Sequence, residues 1–267
     1  MMCATCRACI LRSGVRYSKI RVPGLLHARA LPAALVALGF ALVARLMGAV
    51  TGGGALVGVL VAFILMMVTG LNGFVPLVTV FLLTLIATRW GYARKQGLGV
   101  AERRRGRRAS QVAANLAAAA LCAGAALWFW QFKEFLLTAA MAVLAEAAAD
   151  TVSSEIGQAT SRHAYLITGF RPVPIGTNGA VSIEGTFSGC VAACMVAWVA
   201  AQFGVVSWDS TMLIALAGIA GMFLDSVLGA TWENAGLMGN DAVNFVSTVF
   251  AADLALMVGP FLQRFRT

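Results

Sequence analysis

Eight apolar stretches, each about as long as a helix that crosses a lipid bilayer, follow one another along this chain. Of its 267 residues, 60% are hydrophobic and 12% are charged, whereas soluble domains carry about 25% charged residues. The sequence therefore predicts an all-α fold, a polytopic bundle of about seven or eight transmembrane helices, and it excludes a soluble globular domain. The stretches cover roughly residues 31–47, 54–70, 74–90, 111–131, 135–152, 185–203, 211–229 and 242–262.

The order of the apolar stretches sorts the connections between them onto the two sides of the membrane. Consecutive spans alternate in direction, so the loops at residues 91–110, 153–184 and 230–241 are expected on one side. These loops hold nearly all the polar chemistry, and we predict that they carry the active site. Residues 31–267 would form a single transmembrane domain, preceded by a basic, poorly ordered extension at residues 1–30.

The chain carries a formal net charge of +9, and much of it lies between two apolar stretches. Residues 89–108 contain eight lysines and arginines against a single acid, Glu102. Cytoplasmic loops of membrane proteins are enriched in such residues, so we expect the active-site loops to be cytoplasmic and expect no nucleic-acid partner. Eight spans would then place the N-terminus outside, although residues 1–30 are basic too. The sequence leaves open whether one early span is re-entrant or the extension is atypical.

Acidic side chains lie inside two of the apolar stretches. Glu146, Asp150 and Ser154 recur every four residues and share one helix face, and the small residues around them favour a position inside the bundle. Asp225 is a second intramembrane acid. A carboxylate deep in a membrane costs about 2.5–3.5 kcal/mol on insertion scales. Such an acid either pairs with a basic neighbour or a helix terminus, or it helps to hold a divalent cation, since Mg²⁺ prefers a few carboxylates together with phosphate oxygens.

A glycine-rich segment, "GTNGAVSIEGTFSG", runs from Gly176 into the sixth apolar stretch. A glycine-rich turn that leads into a helix exposes backbone N–H groups and the positive end of the helix dipole, and both suit a phosphate group. The segment is not a Walker A motif, because G-x4-GK[ST] is absent. Gly185 and Gly189, four residues apart, are equally consistent with close packing between helices.

The segment "ERRRGRRASQVAAN" adds arginines and two amides just before the fourth apolar stretch. Arginines bind phosphate through bidentate hydrogen bonds, although membrane orientation and contact with lipid headgroups also explain them. Gln111 and Asn115 share one face of an apolar helix, so they either bond across helices or touch a ligand. Asp241 begins the final stretch, where a carboxylate can simply cap the helix.

In five segments and their order, this chain resembles a membrane family known as domain of unknown function 92, which includes transmembrane protein 19 and the phytyl-phosphate kinases of photosynthetic organisms. The segments are "GRRASQVAAN", "ADTVSSEIG", "VPIGTNGAVSIEGTFSG", "DSVLGATWENAG" and "GNDAVNF". The resemblance covers roughly residues 45–262. In motif order the family is similar to dolichol kinases and CDP-diacylglycerol synthases, but those enzymes carry a lysine in their glycine-containing turn that is absent here.

The resemblance implies an isoprenoid-phosphate kinase. Such an enzyme would transfer a phosphoryl group from a nucleoside triphosphate, CTP or ATP, to a prenyl monophosphate such as phytyl phosphate, with Mg²⁺ as the cofactor. The substrate would lie among membrane lipids, with its phosphate at the cytoplasmic interface. Two other functions stay open: a CTP-dependent cytidylyltransferase that acts on a lipid phosphate, and a non-enzymatic membrane transporter or flippase.

The same resemblance implies three groups of site residues. The catalytic acids would be Asp150, Glu155, Asp225 and Asp241, of which Asp150 and Asp225, with Glu155 beside them, would hold Mg²⁺. The nucleotide phosphates would be bound by Arg107, Arg108, Arg171, Gly176, Thr177, Asn178, Gly179, Ser182 and Gly185. The lipid substrate would be bound by Gln111, Asn115, Ser154 and Asn244.

Overall fold

The structure, a computed structural model, describes residues 22–101 and 106–264. Within these residues, nine α-helices are joined by short turns and one small sheet. In chain order the helices are α1 (Val22–Leu46), α2 (Gly52–Thr69), α3 (Phe74–Arg89), α4 (Tyr92–Gly97), α5 (Ala109–Trp128), α6 (Lys133–Thr160), α7 (Ile183–Gln202), α8 (Thr211–Leu228) and α9 (Asn240–Arg264).

The predicted all-α transmembrane bundle is confirmed. Seven helical stretches in the described part of the chain are long and apolar enough to cross a membrane. One of them, Gly52–Arg89, contains both α2 and α3 and folds back at a short 3-10 turn, Gly70–Gly73. Arg89 at the end of α3 donates from Nη2 to the Met47 carbonyl, just before α2 begins, at 2.7 Å. The described chain therefore has eight crossing segments, because this stretch crosses twice.

Helix α6 lies at the centre of the bundle because its side chains are small. Every residue from Leu137 to Ala149 is buried, and alanine predominates among them. Small residues let neighbouring helices approach closely, and helices α3, α5, α7, α8 and α9 all pack against α6. Glu146 and Asp150, in and next to this buried stretch of α6, are therefore surrounded by protein rather than by lipid.

The connections that carry polar side chains meet at one end of the bundle, which we call the polar end. Arg94, in α4, donates from Nη1 to the Thr160 carbonyl at the end of α6 at 3.5 Å. Asn234, after α8, donates from Nδ2 to the Asn178 carbonyl, between α6 and α7, at 3.2 Å. The loops after α3, α6 and α8 thus lie on the same side of the bundle.

A three-stranded antiparallel sheet lies at the polar end, between α6 and α7. Its central strand, β1 (Ala164–Leu166), pairs with β2 (Pro172–Val173) on one side and with β3 (Ala180–Val181) on the other. Ala164 lies opposite Val173, and Leu166 lies opposite Ala180. The sequence predicts a loop here, because strands of two or three residues are too short to show an alternating pattern.

The opposite end of the bundle carries exposed aromatic side chains. Trp128, Trp130 and Trp208 are all more than half exposed, and Lys133 Nζ lies 4.2 Å from the centroid of the Trp130 ring. Tryptophan is enriched where membrane proteins meet the lipid–water boundary. These residues therefore mark the second membrane boundary, opposite the polar end.

The first helix begins earlier than the sequence predicts. Helix α1 starts at Val22, so residues 22–30 are helical rather than part of a poorly ordered extension. Residues 1–21 lie outside the described residues, as do residues 102–105, which include three arginines of the basic run. The apolar residues from Leu25 onward extend the pattern of the first span, which explains the earlier start.

Candidate functional site

Three carboxyl groups meet inside the bundle near its polar end. Glu146 and Asp150 lie one turn apart on α6, and Asp225 faces them from α8. The carboxyl groups of Asp150 and Asp225 lie within hydrogen-bonding range of each other. Glu146 is only 1% exposed, and its Oε1 has no hydrogen-bond partner within the described residues. Carboxylates this close repel one another unless a proton or a cation lies between them.

Glycines on α8 allow this close approach. A Cβ atom at Gly221 would lie 2.5 Å from Glu146 Cγ, and one at Gly218 would lie 2.9 Å from Glu146 N. Helix α8 therefore approaches α6 so closely that a larger residue at either position would push the two helices apart. The spacing of the three carboxyl groups depends on this contact.

A chain of polar side chains from α5 and α9 fixes the orientation of Asp225. The side-chain amide of Asn244 lies 3.1 Å from that of Asn115 and 3.0 Å from Asp225 Oδ2. Its nitrogen faces Asp225, because two oxygens facing each other would repel. Ser247 also donates from Oγ to Asp225 Oδ2, at 3.3 Å. The carboxylate of Asp225 on α8 is thus held directly by α9 and, through Asn244, by α5.

Arg107 provides positive charge next to the acids. Its Nη2 lies 3.4 Å from Thr151 Oγ1, and its guanidinium attracts the Asp150 carboxylate electrostatically. The backbone of Arg107 is fixed, because its N–H donates to the Ala49 carbonyl at 3.0 Å and its carbonyl accepts from Thr51 N at 2.9 Å. The connection between α1 and α2 therefore positions this arginine.

A cavity of about 400 Å³ extends from the polar end into the membrane-spanning part of the bundle. Its walls are contributed mainly by α1, α2, α3 and α5 and are mostly apolar. The apolar lining residues include Phe40, Ala41, Ala44, Ala55, Gly58, Leu77, Val80, Phe81, Leu85 and Val112.

The polar end of this cavity adjoins the acidic cluster. Arg89, Tyr92 and Arg107 line the cavity there, and Arg107 interacts with Asp150. Asn115 also lines the cavity and is bonded through Asn244 to Asp225, as described above. An apolar chamber, a cationic opening and a group of carboxylates are therefore continuous in space.

Glu155 lies outside this cluster, contrary to its predicted place beside Asp150. It forms a salt bridge with Lys95 of α4, and it accepts a hydrogen bond from Thr88 Oγ1 at 3.3 Å. Lys95 is fully buried and also donates to the carbonyls of Ala87 and Thr88, at 3.1 and 2.7 Å. Glu155 follows Asp150 by five positions, which turns its side chain about 140° around the helix axis from that of Asp150. The predicted face therefore continues from Asp150 to Ser154, not to Glu155.

Two glycines of the glycine-rich segment are used in helix packing. A Cβ atom at Gly185 would lie 2.5 Å from the Ser153 carbonyl, and one at Gly189 would lie 2.8 Å from the Ala149 carbonyl. Helix α7 therefore packs against α6 through these positions. Ser182 caps α7, because its Oγ accepts from Gly185 N at 3.2 Å, so this N–H group is already satisfied. The sequence leaves two interpretations of Gly185 open, phosphate binding and close packing between helices. Its contacts are those of helix packing.

The turn at residues 174–179 lies directly against the segment that follows Asp225. Gly176 and Gly179 have φ angles of 88° and 72°, which favour glycine. A Cβ atom would collide with Val100 at the first position and with the backbone of Ala230 at the second. Thr177 Oγ1 donates to the Pro174 carbonyl at 2.8 Å. The turn thus reaches the acidic helix α8, although its glycines mainly contact protein.

The remaining predicted residues have local contacts or are exposed. The backbone N–H of Arg108 donates to Gln111 Oε1 at 2.8 Å, at the start of α5. Arg171 is exposed beside the small sheet. Ser154 is exposed as well and donates from Oγ to the Thr151 carbonyl at 3.1 Å. Asp241 lies in the first turn of α9, a position where a carboxylate interacts favourably with the helix dipole.

The site fits a metal ion only if a substrate completes its coordination. Among the described residues, no group of three or more His, Cys, Asp or Glu side chains is arranged to hold a metal ion. Mg²⁺ is commonly held by one or two carboxylates, with the other ligands supplied by water and by substrate phosphates. The Asp150–Asp225 pair has this composition, and the unpartnered Oε1 of Glu146 adds negative charge behind it.

Sequence reasoning assigned no role to Ser247 and Lys95. Ser247 follows Asn244 by three residues in an apolar helix, so its position on the same face as Asn244 was a usable signal. Lys95 lies in a run of basic residues, where one buried lysine looks like any other member of the run. Its burial depends on the tertiary contact between α4 and α6, which no local pattern indicates.

Comparisons with known proteins agree with this architecture. A family described as "Integral membrane protein DUF92" matches residues 35–252. An uncharacterized membrane protein of Synechocystis is 36% identical over 174 residues, which are 63% of this chain and 67% of that protein. Protein VTE6, chloroplastic, of Arabidopsis thaliana is 32% identical over 184 residues, 66% of this chain and 55% of the plant protein.

A more distant similarity reaches the archaea. An uncharacterized membrane protein of Methanocaldococcus jannaschii is 32% identical over 118 residues, 43% of this chain and 48% of its own length. The matched part of this chain thus spans about half to two thirds of these relatives. No solved structure matches the chain.

Proposed function

This chain belongs to the DUF92 family of integral membrane proteins, and we propose that it is a lipid-phosphate kinase acting on an isoprenoid monophosphate. Its motifs resemble those of phytyl-phosphate kinases, and a chloroplastic plant protein is among its relatives. The observation that carries the proposal is the apolar cavity whose cationic end adjoins the paired carboxylates of Asp150 and Asp225.

The cavity suits a substrate that is a lipid at one end and a phosphate at the other. Its apolar walls would hold the isoprenoid tail, which loses contact with other lipids but meets a similarly apolar surface. Arg89 and Arg107 at the polar end would bind the phosphate, because guanidinium groups donate paired hydrogen bonds to phosphate oxygens. The proposal therefore places the acceptor phosphate next to the acids of α6 and α8.

The proposed reaction needs little covalent participation by the protein. A non-bridging oxygen of the isoprenoid monophosphate attacks the γ-phosphorus of the nucleoside triphosphate, and the bond from that phosphorus to the β–γ bridging oxygen breaks. The products are an isoprenoid diphosphate and a nucleoside diphosphate. Because the acceptor phosphate is already anionic, no strong general base is required. The main tasks are to position the two phosphates and to offset their charge.

The residues of the site divide these tasks. Arg107 would orient the acceptor phosphate, since its backbone is fixed by Ala49 and Thr51. Asp150 and Asp225 would hold Mg²⁺, which when bound supplies positive charge to the nucleotide phosphates. Asn244 would keep the Asp225 carboxylate in the orientation that this binding requires.

The nucleotide would approach from the aqueous side of the polar end. Arg108, Arg171 and Asn178 are exposed there, and we assign them to contacts with the nucleotide phosphates, together with Thr177 and backbone N–H groups of the turn. Ser154 is also exposed beside Asp150. The basic run at residues 89–108 supports a cytoplasmic position for this end.

A substrate panel tests the proposed function. The purified protein in detergent, with Mg²⁺, is incubated with each nucleoside triphosphate and a series of isoprenoid monophosphates, and the products are identified by mass spectrometry. We expect an isoprenoid diphosphate and one nucleoside diphosphate per turnover. A CDP-linked lipid with released pyrophosphate would show a cytidylyltransferase instead. If no nucleotide is consumed with any of the lipids, the kinase proposal is wrong.

A further inference from the structure

We infer that the deep end of the cavity selects the length of the isoprenoid tail, with Phe40 and Phe81 as its floor and Gly58 as the position that keeps it open. This inference rests on the proposed function, since it concerns the tail of the same substrate. Beyond the proposed function, it names the residues that would distinguish isoprenoid monophosphates by the length of their tails.

The cavity is deep enough for tail length to matter. Its polar end is marked by Arg89, at the end of α3, and its lining continues back along α3 to Leu77. These residues are twelve positions apart, which corresponds to about 18 Å at the rise of an α-helix. The hydrocarbon core of a bilayer is about 30 Å thick. A tail whose phosphate lies beside Arg89 would therefore reach past the middle of the membrane.

Two aromatic rings lie with Leu77 toward the deep end of the cavity. Phe40 and Phe81 both line the cavity, and their rings pack edge to face with centroids 4.9 Å apart. Phe74 packs against the other side of Phe40, with centroids 5.1 Å apart, and is not among the lining residues. Phe40 thus packs against two other rings, which restricts the movement of its side chain.

Gly58 leaves part of the α2 wall of the cavity without side-chain atoms. It lines the cavity from α2, and a Cβ atom added there would meet no other atom within 4 Å. A larger residue at this position would therefore fill cavity space without displacing protein. Glycine destabilises a helix interior relative to alanine, and an open binding cavity gives a reason for its presence.

The occupant follows from the charge and polarity of the cavity. Its walls are apolar over most of their depth, and its opening carries Arg89 and Arg107. A molecule that matches both parts is an anionic phosphate with a hydrocarbon tail. With Phe40 and Phe81 as the floor, tails longer than the depth of the cavity would have to bend or leave the phosphate out of place.

Two substitutions are expected to change tail preference in opposite directions. Phe81→Ala removes the floor and should raise the relative kcat/KM of the longer members of an isoprenoid monophosphate ladder by about tenfold. Gly58→Leu fills the cavity and should lower kcat/KM of the longest members relative to the shortest by about tenfold. Turnover of each member is measured with the nucleotide that the substrate panel identifies.

Each substitution has a matched control outside the cavity. Gly39→Leu makes the same change in α1, also where no atom lies within 4 Å of an added Cβ, and Phe63→Ala removes a half-buried ring from α2. Both controls should keep the tail preference of the unchanged protein. The inference is wrong if Phe81→Ala and Gly58→Leu shift the preference in the same direction or alter every tail equally. Gly58→Leu decides alone if Phe81→Ala does not fold.

Binding separates failure of this inference from failure of the kinase proposal. Native mass spectrometry without nucleotide shows which isoprenoid monophosphates remain bound to each variant. If the protein turns over none of them yet the retained tails lengthen in Phe81→Ala and shorten in Gly58→Leu, the length selection stands and the kinase proposal fails. If the retained tails are the same in all variants, the length selection is wrong even for an active kinase.

Discussion

Asp225 depends on side chains from other helices for its orientation. Asn244 and Ser247 of α9 contact its carboxylate at 3.0 and 3.3 Å, and Asn115 of α5 supports Asn244 from behind. A polar chain of this kind is stabilising only when every member has its partner. Burying these polar side chains costs free energy, which is consistent with a site where the position of the Asp225 carboxylate matters.

We predict that Asp225→Asn lowers kinase turnover by about a hundredfold or more, because it removes charge next to the reacting phosphates while keeping the shape of the side chain. Turnover is measured with the isoprenoid monophosphate that gives the highest rate. Asp209→Asn, the same change at the aromatic end of the bundle, should leave turnover unchanged. Near-normal turnover in the Asp225 variant would remove this residue from the proposed mechanism.

Helix α4 is attached to α6 by a buried ion pair rather than by apolar packing. Lys95 of this six-residue helix is fully buried against Glu155. Breaking a buried pair by removing one partner costs about 3–5 kcal/mol, whereas replacing both partners with apolar residues is often close to neutral. The pair therefore fixes the connection that leads from α3 toward Arg107.

We predict that Lys95→Met alone lowers the free energy of unfolding by about 3–5 kcal/mol and that Lys95→Met/Glu155→Leu recovers much of it. Thermal unfolding in detergent measures both variants. The double variant should also retain kinase turnover, because the pair lies outside the acidic cluster. If the double variant is stable but has lost turnover, Glu155 is needed for catalysis, as the sequence predicts.

The sequence predicts elements better than it predicts their contacts. Repeated apolar stretches of bilayer length identify the transmembrane helices directly, and four-residue spacing places Glu146 and Asp150 on one face. The same spacing argues against grouping Glu155 with them. By contrast, the partners of Lys95 and Asp225 come from helices that are distant in sequence. Only the packing of the bundle brings them together, so local patterns could not indicate them.

At the scale of the whole molecule, the two ends of the bundle differ in composition. The basic residues around Arg89 and Arg107 lie at the polar end, whereas exposed tryptophans lie at both ends, for example Trp90 at the polar end and Trp128 at the other. Positively charged loops favour the cytoplasmic side of a membrane. The bundle is therefore expected to have one orientation, with the acidic cluster near the side where nucleotides are abundant.

We predict that a cysteine at Thr168, in the turn between β1 and β2 at the polar end, is protected from a membrane-impermeant maleimide in intact cells, whereas one at Ser207 is labelled. Both positions are exposed, and the six native cysteines are first replaced by serine. Permeabilised cells should label both variants equally, which controls for reactivity. Labelling of Thr168→Cys from outside, with Ser207→Cys protected, would reverse the proposed orientation.

Arg107 is attached to the connection between α1 and α2. Its position at the acidic cluster is therefore independent of the rest of the basic run. Its backbone pairs with Ala49 and Thr51, so its location does not depend on the residues that come before it. Insertions or deletions between Ala101 and Gly106 should consequently leave the guanidinium where it is. That stretch is then free to vary with the lipid composition of the host membrane, while the anchored arginine keeps its place.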